Sequence, residues 1–290
     1  MKLYREFTAQ EQIDEQYDIE AVLDMESYGE WIAQLSASAR RELDCSIGVP
    51  YGPTRDEFVD IFPSAEPNSP VLVFIHGGWW RSMSSRDFHL VARGLVARGV
   101  TVVISNYSLC PRVSISEITR QNRAVIAWVY RNIKQYLGDP DAIFVAGHSA
   151  GGHQVAMLSI TDWEGEYGLP QDVIRGGVPI SGLFDLRPFL YSWLQPKIQL
   201  THQIIERESP VHQVGGLPYY PPLLITLGGD ESEEFHRQSR AFGAAWAAAG
   251  GEYSELHQPG KDHITAITDF AQAKSRLTDA VMAFIEIHRI

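Results

Sequence analysis

The pentapeptide Gly147-His148-Ser149-Ala150-Gly151 fits G-x-S-x-G and carries the strongest chemical signal in the chain. A serine hydroxyl is a weak nucleophile. It becomes useful when a base can take its proton and when the negative charge developing on an attacked carbonyl is stabilised. The run Ile143-Phe144-Val145-Ala146 ahead of the motif reads as a strand, and residues 153–160 behind it read as a helix. That context places Ser149 on a sharp strand-to-helix turn, with its oxygen exposed above a sheet. The flanking glycines leave room where a side chain would clash, and the helix N-terminus favours negative charge.

A nucleophile of this kind needs an oxyanion hole, a base and an acid. His76-Gly77-Gly78-Trp79-Trp80 follows the apolar run at residues 71–75. A glycine pair there lets the backbone approach a ligand and aim N–H groups at it, as in the HGGG-type oxyanion loop of lipases and esterases. Gly77 and Gly78 are therefore candidate donors, with the N–H of Ala150 as the second arm. His76 is read as holding this loop in shape.

The partners of such a serine follow it in the order acid, then histidine. His263 follows the polar turn Gly260-Lys261-Asp262 and precedes the last helical segment, which is where the base belongs. His257 lies inside an expected strand, His202 and His212 in an irregular stretch, His236 on a helix and His288 at the C-terminal end. The acid should follow the strand at residues 223–227, where Asp230 and Glu231 are adjacent. Spacing from Gly228 favours Glu231, with Asp230 as the alternative. Trp79, Trp80 and Tyr107 lie on loops at the carboxyl ends of strands, where ligands bind in open α/β sheets. They are candidate substrate-binding residues, with core packing as the competing reading.

The elements that must position these residues alternate between strand and helix. Strands are expected at residues 57–62, 71–75, 100–105, 142–146, 177–181, 223–227 and 253–257. Helices are expected at 88–98, 115–136, 153–160, 235–249 and 264–287. Such alternation implies an α/β fold with a mostly parallel sheet and helices on both faces. Residues 1–54 read as a partly helical N-terminal extension, with Val22, Leu23, Tyr28, Ile32 and Leu35 facing inward. The hydrolase-like domain then spans 55–290, interrupted by an irregular insertion at about 185–221. That insertion reads either as a short cap over a pocket or as a structural elaboration.

The chain has 290 residues, 24 basic and 36 acidic, for a formal charge of −12. No basic stripe is present to replace counterions, which argues against nucleic acid as a partner. Cys45 and Cys110 are too few for a disulfide framework. No apolar run approaches the ~20 residues of a membrane span, and the N-terminus lacks an apolar signal core. A soluble cytoplasmic protein is expected, with a homodimer left open. The histidines are dispersed without an H-E-x-x-H or Cys/His cluster, so neither a metal nor another cofactor is expected.

Together, HGGWW, Asn106-Tyr107-Ser108-Leu109-Cys110-Pro111, GHSAGGH, Ser181-Gly182-Leu183-Phe184-Asp185-Leu186-Arg187-Pro188 and Glu234-Phe235-His236-Arg237-Gln238-Ser239 resemble the kynurenine formamidase (arylformamidase) branch of the α/β-hydrolases. The resemblance covers about residues 55–290. It implies Ser149 as nucleophile and His263 as base. In that branch the acid is often an aspartate in a loop resembling GxxDSPEF, and Glu231 stands at that position here. The implied reaction is cleavage of an aryl formamide, of the N-formylkynurenine type, or of another small acyl amide or ester, through an acyl-enzyme and without a cofactor. A general carboxylesterase is the alternative, and a non-catalytic binding module on the same fold the remote one.

Overall fold

A computed structural model describes residues 2–289. Eight strands form one sheet in the order β1-β2-β4-β3-β5-β6-β7-β8. They are β1 (Ser46–Pro50), β2 (Phe58–Phe62), β3 (Ser69–Ile75), β4 (Thr101–Ser105), β5 (Gly138–His148), β6 (Gly176–Ile180), β7 (Leu223–Gly228) and β8 (Tyr253–Gln258). β1 and β2 pair antiparallel, as do β2 and β4, and every other pairing is parallel. Ten α-helices accompany them among the described residues: α1 (Gln10–Tyr17), α2 (Met25–Glu42), α3 (Leu90–Val96), α4 (Ile115–Asn132), α5 (Ala150–Ser159), α6 (Trp163–Tyr167), α7 (Gln195–Ile198), α8 (His202–Glu208), α9 (Glu233–Ala248) and α10 (Arg276–His288). No helix among these residues is long and apolar enough to cross a membrane.

The central strands are apolar on both faces because helices cover both. Val71, Val73 and Ile75 of β3 point to one side with Ile143 and Val145 of β5, in one apolar cluster with residues of α4 and α5. Leu72 and Phe74 point to the other with Phe144 and Ala146, in one apolar cluster with residues of α3 and α10. This period-2 division of continuous apolar runs is what a doubly covered parallel sheet requires.

The expected strands are all present, but three readings change. β1 falls within residues 1–54 and adds an edge strand that sequence reasoning did not find. The segment read as one helix over 264–287 is broken: a single turn at Thr268–Ala271 is followed by a restart at Ser275, whose hydroxyl caps α10 by accepting from Thr278 N. Val22, expected to face inward, is 76% exposed, whereas Ile32 is buried.

The N-terminal helices are tied to the body by specific bonds. Tyr17 of α1 packs edge-on against Phe189 and Phe235 and donates 2.9 Å to Glu234 Oε2. Ser36 of α2 donates 2.8 Å to Asp87 O and accepts from Leu90 N. The 185–221 stretch holds α7, α8 and six buried apolar residues, Leu186, Phe189, Leu194, Ile198, Leu200 and Ile205. It docks on α4, where Thr119 Oγ1 donates 2.8 Å to Glu208 Oε2.

Candidate active site

Ser149 sits between β5 and α5 with φ 57 and ψ −117, a backbone conformation that few non-glycine residues adopt. The turn is held because its N–H donates 2.8 Å to Ile180 O and its carbonyl accepts from His153 N. Gly151 is required by space. A Cβ there would stand 2.0 Å from Ile75 O, so α5 could not lie this close to β3.

β7 and β8 deliver the other two groups. His263 Nδ1 lies 2.6 Å from Glu231 Oε2, and both side chains are almost fully buried. Glu231 Oε1 accepts 2.7 Å from Gly228 N and 2.5 Å from Ser181 Oγ. A carboxylate can only accept, so Nδ1 of His263 carries the proton in this contact. Its Nε2 is left as a buried lone pair with no protein partner. His148 fixes the histidine loop: its Nε2 lies 2.8 Å from His263 O, and the rings are 4.6 Å apart. Burial, reinforced by the neighbouring His263 imidazole, holds His148 well below the usual imidazole range, so it stays neutral. Asp230, the alternative acid, is exposed, and its N–H donates 3.0 Å to Lys261 O.

The loop after β3 abuts the serine turn. A Cβ on Gly77 would be 3.0 Å from His148 O and 3.2 Å from Ser149 Cβ. Gly78 has φ +104 and faces Ser82 O so closely that only glycine fits. Among the described residues, the N–H groups of Gly77 and Gly78 donate to no backbone carbonyl. Ala150 opens α5, where the first N–H groups have no partner inside the helix. Gly77 and Ala150 therefore adjoin the serine and Gly78 lines the same cavity, with hydrogen-bonding capacity to spare.

The three aromatic candidates separate. Trp79 and Trp80 both have positive φ, 52 and 55, and this left-handed turn sends their rings in different directions. Trp79 lines the cavity that holds Ser149, backed by Phe189 and Trp193. Trp80 is instead a core residue, its Nε1 donating 3.3 Å to His153 Nδ1. Tyr107 is also behind the site. It stacks on His76 at 4.1 Å and donates 2.8 Å to His76 O. Packing, not substrate contact, accounts for both.

His76 itself is fully buried, with Nδ1 2.7 Å from Gly77 O and no partner for Nε2. Burial pushes its pKa down to about 4. The unfolded imidazole titrates near 6.5, so as pH falls from there toward 4 the unfolded chain takes up a proton that the folded site refuses. Stability is complete above that window and falls through it, by about 3 kcal/mol in total. Urea unfolding at pH 7.5 and 4.5 is expected to show less acid loss in His76→Phe than in the wild type. An equal loss in both would exclude His76 as a source.

Ser149, His148 and His263 open onto one cavity of about 200 Å³ with predominantly apolar walls. Trp79, Phe88 and Ile267 line it together with Met25, Tyr28 and Ile32 of α2. No residue of the 185–221 stretch lines it. That stretch stands behind Trp79 as support.

The family BD-FAE matches residues 59–173. Kynurenine formamidase from Danio rerio is 27% identical over 85% of this chain and 84% of its own length. Esterase LipQ from Mycobacterium tuberculosis is 31% identical over 82% of this chain and 61% of its own. The crystal structure of a putative thioesterase from Silicibacter sp. TM1040 superimposes with a TM-score of 0.79 at 29% identity, covering 93% of this chain and 99% of that one. The chain is an α/β-hydrolase. Within that fold its similarity runs both to kynurenine formamidase and to esterases.

Sequence reasoning missed two parts of this hydrolase's site. Ser181, at the end of β6 with φ 51, grips Glu231, yet in the sequence it was only one letter of a family motif. The N-terminal wall was also missed. Its signal was the spacing of Met25, Tyr28, Gly29 and Ile32 at i, i+3, i+4 and i+7, which marks one helix face but not what that face meets.

Proposed function

We propose that the protein is a serine hydrolase that cleaves an aryl formamide, or a similarly small acyl amide or ester of an aryl group, through an acyl-enzyme. The observation that carries this reading is the unpartnered Nε2 of His263. The ring is fixed from the opposite side by Glu231 and opens onto the same apolar cavity as Ser149.

In this reading, Ser149 Oγ attacks the acyl carbon while His263 Nε2 takes its proton. The resulting oxyanion is held by N–H groups of Gly77, Gly78 and Ala150, each such donor being worth about 3 kcal/mol in general. Glu231 stabilises the imidazolium and keeps the ring oriented. His263 then gives its proton to the departing aryl amine or alcohol, and the C–N or C–O bond breaks. Water, deprotonated by the same nitrogen, releases the carboxylic acid and restores Ser149. For a formamide the products are an arylamine and formate. No metal is required, and no cluster of metal-binding side chains occurs among the described residues.

Three features support a small aryl substrate. The cavity, at about 200 Å³, is below the roughly 300–1,000 Å³ of drug-sized sites. Its walls are aromatic and aliphatic. The similarity to kynurenine formamidase points to N-formylkynurenine, and the similarity to esterases supports a general carboxylesterase as the second reading. Rates on formyl, acetyl and butyryl anilides and phenyl esters, with N-formylkynurenine beside them, separate the two. The formyl compounds are expected to be fastest. A preference for butyryl would overturn the small-acyl reading.

A further inference from the structure

Helix α2 presents a single stripe to the body of the protein. Its C-terminal half, Ile32, Ser36 and Ala39, is buried against the segment around α3. Its N-terminal half, Met25, Tyr28, Gly29 and Ile32, lines the cavity that holds Ser149. Gly29 is the one residue of this stripe without a side chain. Glycine weakens a helix interior relative to alanine, and nothing in the packing demands it: a Cβ built there meets no atom within 4 Å. Its backbone is ordinary helix, so no left-handed conformation requires it either. Gly29 lines the cavity and is itself exposed, so the missing side chain leaves open space at the cavity's solvent-facing mouth.

The side of Ser149 on which this space lies follows from its neighbour. Tyr28 Oη donates 2.5 Å to Asp262 Oδ2, which ties this turn of α2 to the residue before His263. Ile264 and Ile267, just after His263, line the same cavity. A general acid must reach the atom it protonates, so the leaving group sits on the His263 side of the serine.

The geometry points to Gly29 as a specificity-determining residue, the gap in α2 over which the aryl leaving group of the substrate lies. This rests on the serine-hydrolase reading above. Gly29 touches no reacting atom, and its role is to set how large an apolar leaving group the cavity takes. The N-terminal segment would then select among leaving groups, while the loop at Gly77–Gly78 handles the acyl carbonyl.

The test is a size series, Gly29→Ala, Gly29→Leu and Gly29→Trp, assayed on methyl, phenyl and 1-naphthyl acetate, with phenyl butyrate as the acyl control. Gly29→Ala is expected to keep the naphthyl-to-methyl ratio of kcat/KM within about threefold and to raise Tm by about 1–2 °C. Gly29→Leu should lower that ratio by at least about tenfold, and Gly29→Trp by about a hundredfold. The butyrate-to-acetate ratio at constant phenol should stay within about threefold. A flat naphthyl-to-methyl ratio across folded variants overturns the proposal, as does an acyl ratio that moves instead. Each variant is also treated with a serine-directed organophosphate. Labelling at Ser149 with a flat ratio refutes the role of Gly29 and leaves the hydrolase reading standing. A wild type that neither labels at Ser149 nor turns over any ester refutes both.

Discussion

Replacing Ser149 with alanine is expected to lower kcat on phenyl acetate or formanilide by on the order of 10⁴–10⁶, with KM little changed. The hydroxyl is the only atom removed. The cavity walls that would bind the substrate, Trp79, Phe88, Ile267 and the α2 face, remain. So does the Glu231–His263 pair. What is lost is the covalent path, and the donors of the oxyanion loop alone sustain only a residue of about 10³–10⁴ over water. Alanine also inherits the unusual backbone of this position, φ 57 and ψ −117, so little relief of strain is expected and Tm should shift by less than about 2 °C. Steady-state kinetics and organophosphate labelling followed by mass spectrometry check the two halves. A variant that keeps a tenth of the activity would remove Ser149 from the mechanism.

The parts of this site that could be read in the sequence are those whose geometry is local. Gly147-His148-Ser149-Ala150-Gly151 announces itself because a strand, a tight turn and a helix follow one another within a few residues, and each glycine has a steric reason to be there. The bond between Glu231 and His263 was legible through spacing, since each residue lies a fixed short distance beyond the end of its strand. What was not legible depends on long-range docking. Trp79 and Trp80 are the same residue type side by side, and only the left-handed turn decides that one faces the cavity and the other the core. The stripe on α2 was visible as amphipathicity, but its partner could not be known without the bonds of Ser36 to Asp87 and Leu90. β1 escaped notice because Gly48 and Pro50 are poor strand formers and the strand pairs on one edge only. The break before α10 was masked by the apolar residues on both sides of it.

Glu231→Gln is expected to lower kcat by on the order of 10⁴, whereas Asp230→Ala should stay within about twofold of wild type. The contrast follows from who donates to whom. Glu231 Oε1 is occupied by Gly228 N–H and the Ser181 hydroxyl, two donors that a glutamine must meet with its carbonyl oxygen. Its amide nitrogen then faces His263 Nδ1, across a contact of 2.6 Å in the native protein. Two donors cannot share a hydrogen bond, so the imidazole moves its proton to Nε2, and the nitrogen nearest the serine ceases to be a base. The variant should fold normally and keep KM, because Glu231 does not line the cavity that holds Ser149. Asp230 has no such position. Its side chain is exposed, and its one backbone bond, to Lys261 O, survives truncation. Measuring kcat and Tm for the two variants together distinguishes a lost acid from a disturbed loop. A large loss in Asp230→Ala with Glu231→Gln near wild type would reverse the assignment, and it would mean that the loop after β7 rearranges when substrate binds.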